Sequence, residues 1–208
     1  MRWNEQLFLI INASGASATA GVELARLLAN SPIVVAPVLL TGLWVWGSPN
    51  RRGGLISVAL GMLIGLSVNQ LLGFAYFEPR PFMIGIGHTL LQHPSDNSFP
   101  SDHVTFIWAM GFGLISTRSA RGYGVVTCLY GMGVAWARVF LGVHFPLDMM
   151  ASFVVAITSA GIAAFCQPVV TTWVLPVADG MYEMLLQVLH MPQMLIPRQS
   201  RHDQIPPR

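Results

Sequence analysis

Five stretches of this sequence, residues 31–47, 53–77, 99–117, 122–142 and 147–168, are apolar almost throughout, and Asp102, Arg138 and Asp148 are the only charged residues inside them. A helix needs about 20 mostly apolar residues to cross the hydrocarbon core of a bilayer, so each stretch is a candidate span. A soluble helical core of this size would need polar faces that these stretches lack. Glycines recur within them, at Gly61, Gly65, Gly111, Gly113, Gly131 and Gly133, and small residues let membrane helices approach closely. The sequence predicts an all-α fold: a polytopic membrane helical bundle with five or six transmembrane helices.

Composition agrees. Charged residues make up 10% of the 208, against roughly 25% in soluble domains. With 53% apolar residues and a net charge of +2, the chain is not disordered, and with no basic run it does not read as a nucleic-acid binder. All eleven basic residues are arginine, and there is no lysine. Cys128 and Cys166 sit in apolar runs and read as packing residues. The short apolar stretch 7–11 after Arg2 is too weak for a cleavable signal peptide.

Threading the five spans alternately places Arg51, Arg52, Arg118, Arg121, Arg198, Arg201 and Arg208 on one side, and Arg80 and Arg138 on the other. By the positive-inside rule the first side is cytoplasmic. The 78–98 loop and the 142–146 turn then face the periplasm or cell exterior. Residues 1–30 are expected to form interfacial helices or a short first span, residues 31–168 the core, and residues 169–208 a cytoplasmic amphipathic segment and polar tail.

Polar groups in a membrane are costly and mark function. Here Arg80, Ser101, Asp102, His103, Arg138, His144 and Asp148 all fall at the outward end of predicted spans. With a fifth helix starting near Phe145, His144 and Asp148 share a helical face. The carboxylate can then hold one imidazole nitrogen and leave the other free as a nucleophile. Arg138 and Arg80, the latter set between Pro79 and Pro81, suit phosphate oxygens. Pro100-Ser101 before an apolar run signals a helix N-terminus, where an anion is favoured. His103 on its first turn can give a proton to a leaving oxygen. His88 and His93 read first as solvated loop residues, with lining the site's entrance or touching a second phosphate as the alternative, while Asn69 and Gln70 are expected to hydrogen-bond another helix.

Arg80-Pro81, Pro100-Ser101-Asp102-His103 and Arg138-x5-His144-x3-Asp148 resemble the tripartite signature of the type 2 phosphatidic acid phosphatase superfamily. The stretches 76–82, 87–89 and 98–103 are similar to its bacitracin-resistance branch of undecaprenyl-diphosphate phosphatases. The resemblance implies a polyprenyl diphosphate substrate, hydrolysed to the monophosphate carrier in support of cell-wall synthesis, and no metal or other cofactor. His144 would be the nucleophile, Asp148 its orienting partner and His103 the acid and then base. Arg80, Ser101 and Arg138 would hold phosphate, with Asp102 beside them.

Two positions depart from the pattern. Gly73 stands where the family has a lysine, and Asp102 where it has glycine. Asp102 is expected to support the helix N-terminus and pair with an arginine. Competing readings are a phosphatase or phosphotransferase for phosphatidate, phosphatidylglycerol phosphate or lipid A, metal-dependent hydrolysis through His88, His93, Asp96, His103 and His144, and an anion-binding transporter.

Overall fold

The computed structural model describes residues 3–14, 19–47 and 49–189. They form, in order, α1 (Trp3–Ile11), α2 (Thr19–Asn30), α3 (Pro32–Val45), α4 (Pro49–Ala75), α5 (Asp102–Ser116), α6 (Arg121–Phe140), α7 (Pro146–Phe165), α8 (Gln167–Val169) and α9 (Leu175–Val188). Single 3-10 turns lie at Pro81–Ile84 and Arg118–Ala120, and a π-helical stretch at Val170–Val174. No strand occurs among the described residues, as the all-α expectation requires. Prolines sit in the first turns of α3, α7 and α9, where a missing N–H breaks no helical hydrogen bond. Pro176 lies in the first turn of α9, directly after the π-helical stretch Val170–Val174, so the helical run continues past it.

α5 is the centre of the bundle and packs on α4, α6 and α7. Its Val104, Ile107, Met110 and Leu114 are fully buried. The surrounding helices are apolar on their outer faces too: Leu63 and Phe74 on α4, Val126 and Leu129 on α6, and Val154 and Ile162 on α7 are exposed. A helix apolar on all sides is stable only inside protein or lipid. Between helices, attraction in lipid comes from close packing rather than from expelling water. Glycines supply that closeness: a Cβ on Gly124 would lie 2.5 Å from the Ile115 nitrogen, and one on Gly61 3.3 Å from the Ala160 Cα.

Two helices, Arg51–Ala75 and Pro146–Phe165, are each long and apolar enough to cross a membrane, and α2 with α3 qualifies as one span bent by 54°. That is fewer than the five or six expected. α5 has only fifteen residues, and α6 carries Arg121 and Arg138, so neither qualifies by length and composition. Both nevertheless belong to the bundle, α5 at its centre and α6 packed against α5. α1 lies across one end: the Leu147 N–H donates to Asn4 Oδ1 at 3.1 Å, and Asn12 Nδ2 donates to the Phe140 carbonyl at 3.0 Å.

That end gathers the last turns of α4 and α6, the first turns of α5 and α7, and the 76–101 loop. At the opposite end, Arg52 donates to Asp179 at 2.7 Å, and its guanidinium lies 5.1 Å from the Trp44 ring and 4.7 Å from that of Tyr182. This fixes α9 against α3 and α4. Arg198, Arg201 and Arg208, expected on that side, lie outside the described residues.

Candidate active site

The turn between α6 and α7 fixes the site. Gly142 has φ +82°, a left-handed conformation that favours glycine, and a Cβ there would lie 2.1 Å from the His88 carbonyl oxygen. Asn12 binds the loop to this turn: its side chain donates to the carbonyls of His88 (2.9 Å) and Phe140 (3.0 Å) and accepts from the His88 N–H (2.7 Å). His88 is exposed and contributes through its backbone, as a loop residue.

His144 sits in this turn and not on the helix, because α7 begins at Pro146 with Phe145 as its N-cap. The expected contact with Asp148 still forms, between the turn and the helix's first turn. His144 Nδ1 lies 3.2 Å from Asp148 Oδ2. The same carboxylate oxygen accepts from the Phe145 N–H at 2.8 Å and from Ser98 Oγ at 2.5 Å. Ser98 Oγ is also 3.2 Å from Nδ1. His144, Asp148 and Ser98 are all buried.

The other imidazole nitrogen, Nε2, is 3.1 Å from Arg80 Nη1 and 3.4 Å from Arg138 Nη2. Guanidinium groups only donate, so Nε2 is the unprotonated nitrogen and Nδ1 carries the hydrogen. Burial foremost, then the charges of Arg138 and Arg80, hold the His144 pKa well below the ordinary histidine value. The arrangement offers an unprotonated nitrogen with two guanidinium forks beside the place where an electrophile would meet it.

Arg80 is held on every side. Nε donates to Asp96 at 2.8 Å, Nη1 to the Val143 carbonyl at 2.9 Å and Nη2 to the Asn97 carbonyl at 2.9 Å. Arg138, almost fully buried, leaves its Nε without a hydrogen-bond partner among the described residues. A buried unpaired donor is costly, which marks Arg138 as awaiting an acceptor. Both arginines line a cavity of about 410 Å³ together with His93, Asp102, His103 and His144.

The cavity brings together most of the residues singled out from sequence. His103 faces it from the first turn of α5. Ser101 does not line it; its Oγ is buried without a hydrogen-bond partner among the described residues, and its N–H donates to Ser152 Oγ at 2.9 Å. Asp102 lines the wall, but its expected arginine pairing is not made. It accepts from Asn69 Nδ2 at 2.8 Å and Gln70 Nε2 at 3.3 Å instead, because α4 presents those amides directly to the start of α5. Nor do Ser101 and Asp102 cap α5 through their side chains. Asn69 and Gln70 thus bond between helices, as expected. The five-residue metal set does not assemble: no group of three or more His, Cys, Asp or Glu suited to a metal occurs among the described residues.

Sequence reasoning gave no role to Asn97, held Ser98 only as part of the recognised block and Asp96 only as a metal-ligand candidate, and preferred solvent to the cavity entrance for His93, whose side chain is only 15% exposed. Asn97 shapes the loop, accepting from the Glu78 N–H at 2.8 Å and donating to the Phe99 carbonyl at 2.8 Å. Ser98 lies 46 residues from His144, a separation without local periodicity. Its position three residues before Ser101, inside the recognised block, was the available signal.

Residues 54–171 match the family described as the PAP2 superfamily. The chain belongs to the PAP2 superfamily. Among relatives of this PAP2 protein, one from Escherichia coli (strain K12), provisionally named undecaprenyl-diphosphatase YbjG, is 37% identical over 71% of this chain and 74% of its own. Undecaprenyl-diphosphatase BcrC of Bacillus subtilis (strain 168) is 34% identical over 60% of this chain and 64% of its own. The crystal structure of Aquifex aeolicus LpxE superposes with a TM-score of 0.67 at 22% identity, covering 78% of this chain and 95% of that one. This likeness establishes a shared fold.

Proposed function

We propose that this PAP2 protein is an integral-membrane undecaprenyl-diphosphatase that releases phosphate from the lipid diphosphate through a phosphohistidine. The carrying observation is the two-sided environment of His144, with Asp148 and Ser98 on Nδ1 and two arginines beside Nε2. The relatives named undecaprenyl-diphosphatase at 34–37% identity support the substrate class.

In this scheme Nε2 attacks the terminal phosphorus, the bond from phosphorus to the bridging oxygen breaks, and His103 gives that oxygen a proton as the lipid monophosphate leaves. His103 then takes a proton from water, whose oxygen attacks the phosphohistidine to give inorganic phosphate and free His144. Arg80 and Arg138 bind the equatorial oxygens, where charge concentrates in phosphoryl transfer. An adjoining groove of about 680 Å³ shares Phe99 with the cavity; Asn4, Glu5 and Glu78 line part of it, and its apolar side, Trp3, Tyr76, Phe77 and Leu147, suits the start of the isoprenoid chain.

The arginine asymmetry supports a site facing the periplasm or cell exterior from a cytoplasmic membrane. The deciding experiment is phosphate release by purified protein from undecaprenyl diphosphate, phosphatidate, phosphatidylglycerol phosphate and lipid A phosphate. The wild type is expected to prefer the isoprenyl diphosphate and His144→Ala to be folded and inactive. Preference for a non-isoprenoid lipid would overturn the substrate assignment.

A further inference from the structure

The missing lysine has a structural counterpart. Gly73 lines the cavity, and a Cβ built on it would lie 3.0 Å from Asn97 Nδ2. The 93–98 loop therefore packs over the position from which a lysine would reach in. The same loop brings His93 to the cavity wall, its ring edge-on to that of His144 with centroids 6.2 Å apart. His93 Nδ1 is 3.2 Å from the Pro94 carbonyl and 3.6 Å from Asp96 Oδ1, and Asp96 in turn accepts from Arg80. Asp96 so links His93 to the arginine that faces the nucleophilic nitrogen.

We infer that His93 is a phosphate-binding residue of this site, taking up a proton as the anion arrives and supplying the cation that the absent lysine would otherwise provide. The inference rests on the reading of this cavity as a phosphate site. The groups facing His93 are Asp96 on its own loop, Arg80 before it, Arg138 on α6, His144 in the following turn, and Asp102 and His103 across the cavity. Burial first and then the charge of Arg80 hold the His93 pKa below its ordinary value, with Asp96 acting the other way. An arriving dianion offsets the arginine charges and favours imidazolium. Nδ1–H then points at Pro94 and Asp96, and Nε2–H is free for a phosphate oxygen.

Sulfate tests this, being a tetrahedral dianion of constant charge that requires no knowledge of the lipid. Its binding to the purified protein in detergent is measured by calorimetry at about pH 5.5 and about pH 8, either side of the histidine range. Wild type is expected to bind about tenfold more tightly at the lower pH, the size of one charge-assisted hydrogen bond. His93→Gln should bind weakly at both pH values. His93→Lys, charged throughout, should bind tightly at both, a rescue that a purely structural role would not give. A wild-type pH dependence retained in His93→Gln would assign the proton to His144 or His103 and overturn the inference. Equal wild-type affinity at both pH values would also overturn it. A wild type that binds as expected but prefers another lipid phosphate leaves the His93 assignment standing while the substrate proposal falls.

Discussion

Ser98 shows how much one hydroxyl can decide. Asp148 Oδ2 accepts from Ser98, the Phe145 N–H and His144 Nδ1, so the carboxylate is both fixed in place and fixing the imidazole. Ser98→Ala removes the shortest of these bonds and leaves the others. The expected result is a fall of about tenfold in kcat with KM little changed, because the loss misorients the proposed nucleophile rather than unbinding substrate. Phosphate-release kinetics would show it, and an equal rise in KM would speak against it. The depressed pKa of His144, which lies in the turn outside the membrane-spanning helices, has a signed consequence. Lowering a histidine pKa keeps the ring neutral to lower pH. The acid limb of kcat/KM set by His144 should therefore fall below about pH 6.5, the ordinary histidine value. A limb at or above that value would contradict the buried, arginine-flanked setting.

At the scale of helices, close packing is as decisive as polarity. Gly124 on α6 faces α5, and an added Cβ would meet backbone atoms, the Ile115 nitrogen at 2.5 Å and the Gly111 oxygen at 2.7 Å. Backbone cannot rotate aside as a side chain can. Gly124→Ala is thus expected to destabilise the fold by roughly 1–3 kcal/mol, read as a lower Tm in detergent, whereas Gly122→Ala, with nothing within 4 Å, should leave Tm unchanged. Much at this scale was legible in the sequence. Apolar runs and prolines located α3, α4 and α7, and the spacing from Arg138 to Asp148 located the site's third block. What the sequence could not convey was contact across distance. Asp102 looked like a partner for an arginine because only charge could be weighed, while the amides of Asn69 and Gln70 reach it because α4 and α5 pack side by side. For His93 the sequence left solvent and the site's entrance both open, because a loop's fold over a cavity leaves no periodic trace.

Across the whole molecule, charge is sorted between two ends. At the site end Arg80 and Arg138 face His144, and Arg26 is occupied by Glu23 at 2.6 Å and the Leu90 carbonyl at 2.8 Å. At the other end Arg52 is paired with Asp179, while Arg118 and Arg121 are exposed. Arg51, Arg52, Arg118 and Arg121 at the end away from the site outnumber Arg26, Arg80 and Arg138 at the site end, so the end away from the site should face the cytoplasm. Cysteine labelling tests this directly, in a chain whose Cys128 and Cys166 have been replaced by alanine. His88 and Arg118 are both exposed and lie at opposite ends. A thiol reagent that does not cross membranes should label His88→Cys in intact cells, and Arg118→Cys only after the membrane is opened. The reverse pattern would place the proposed catalytic cavity on the cytoplasmic side and restrict its substrate to lipid phosphates of the inner leaflet.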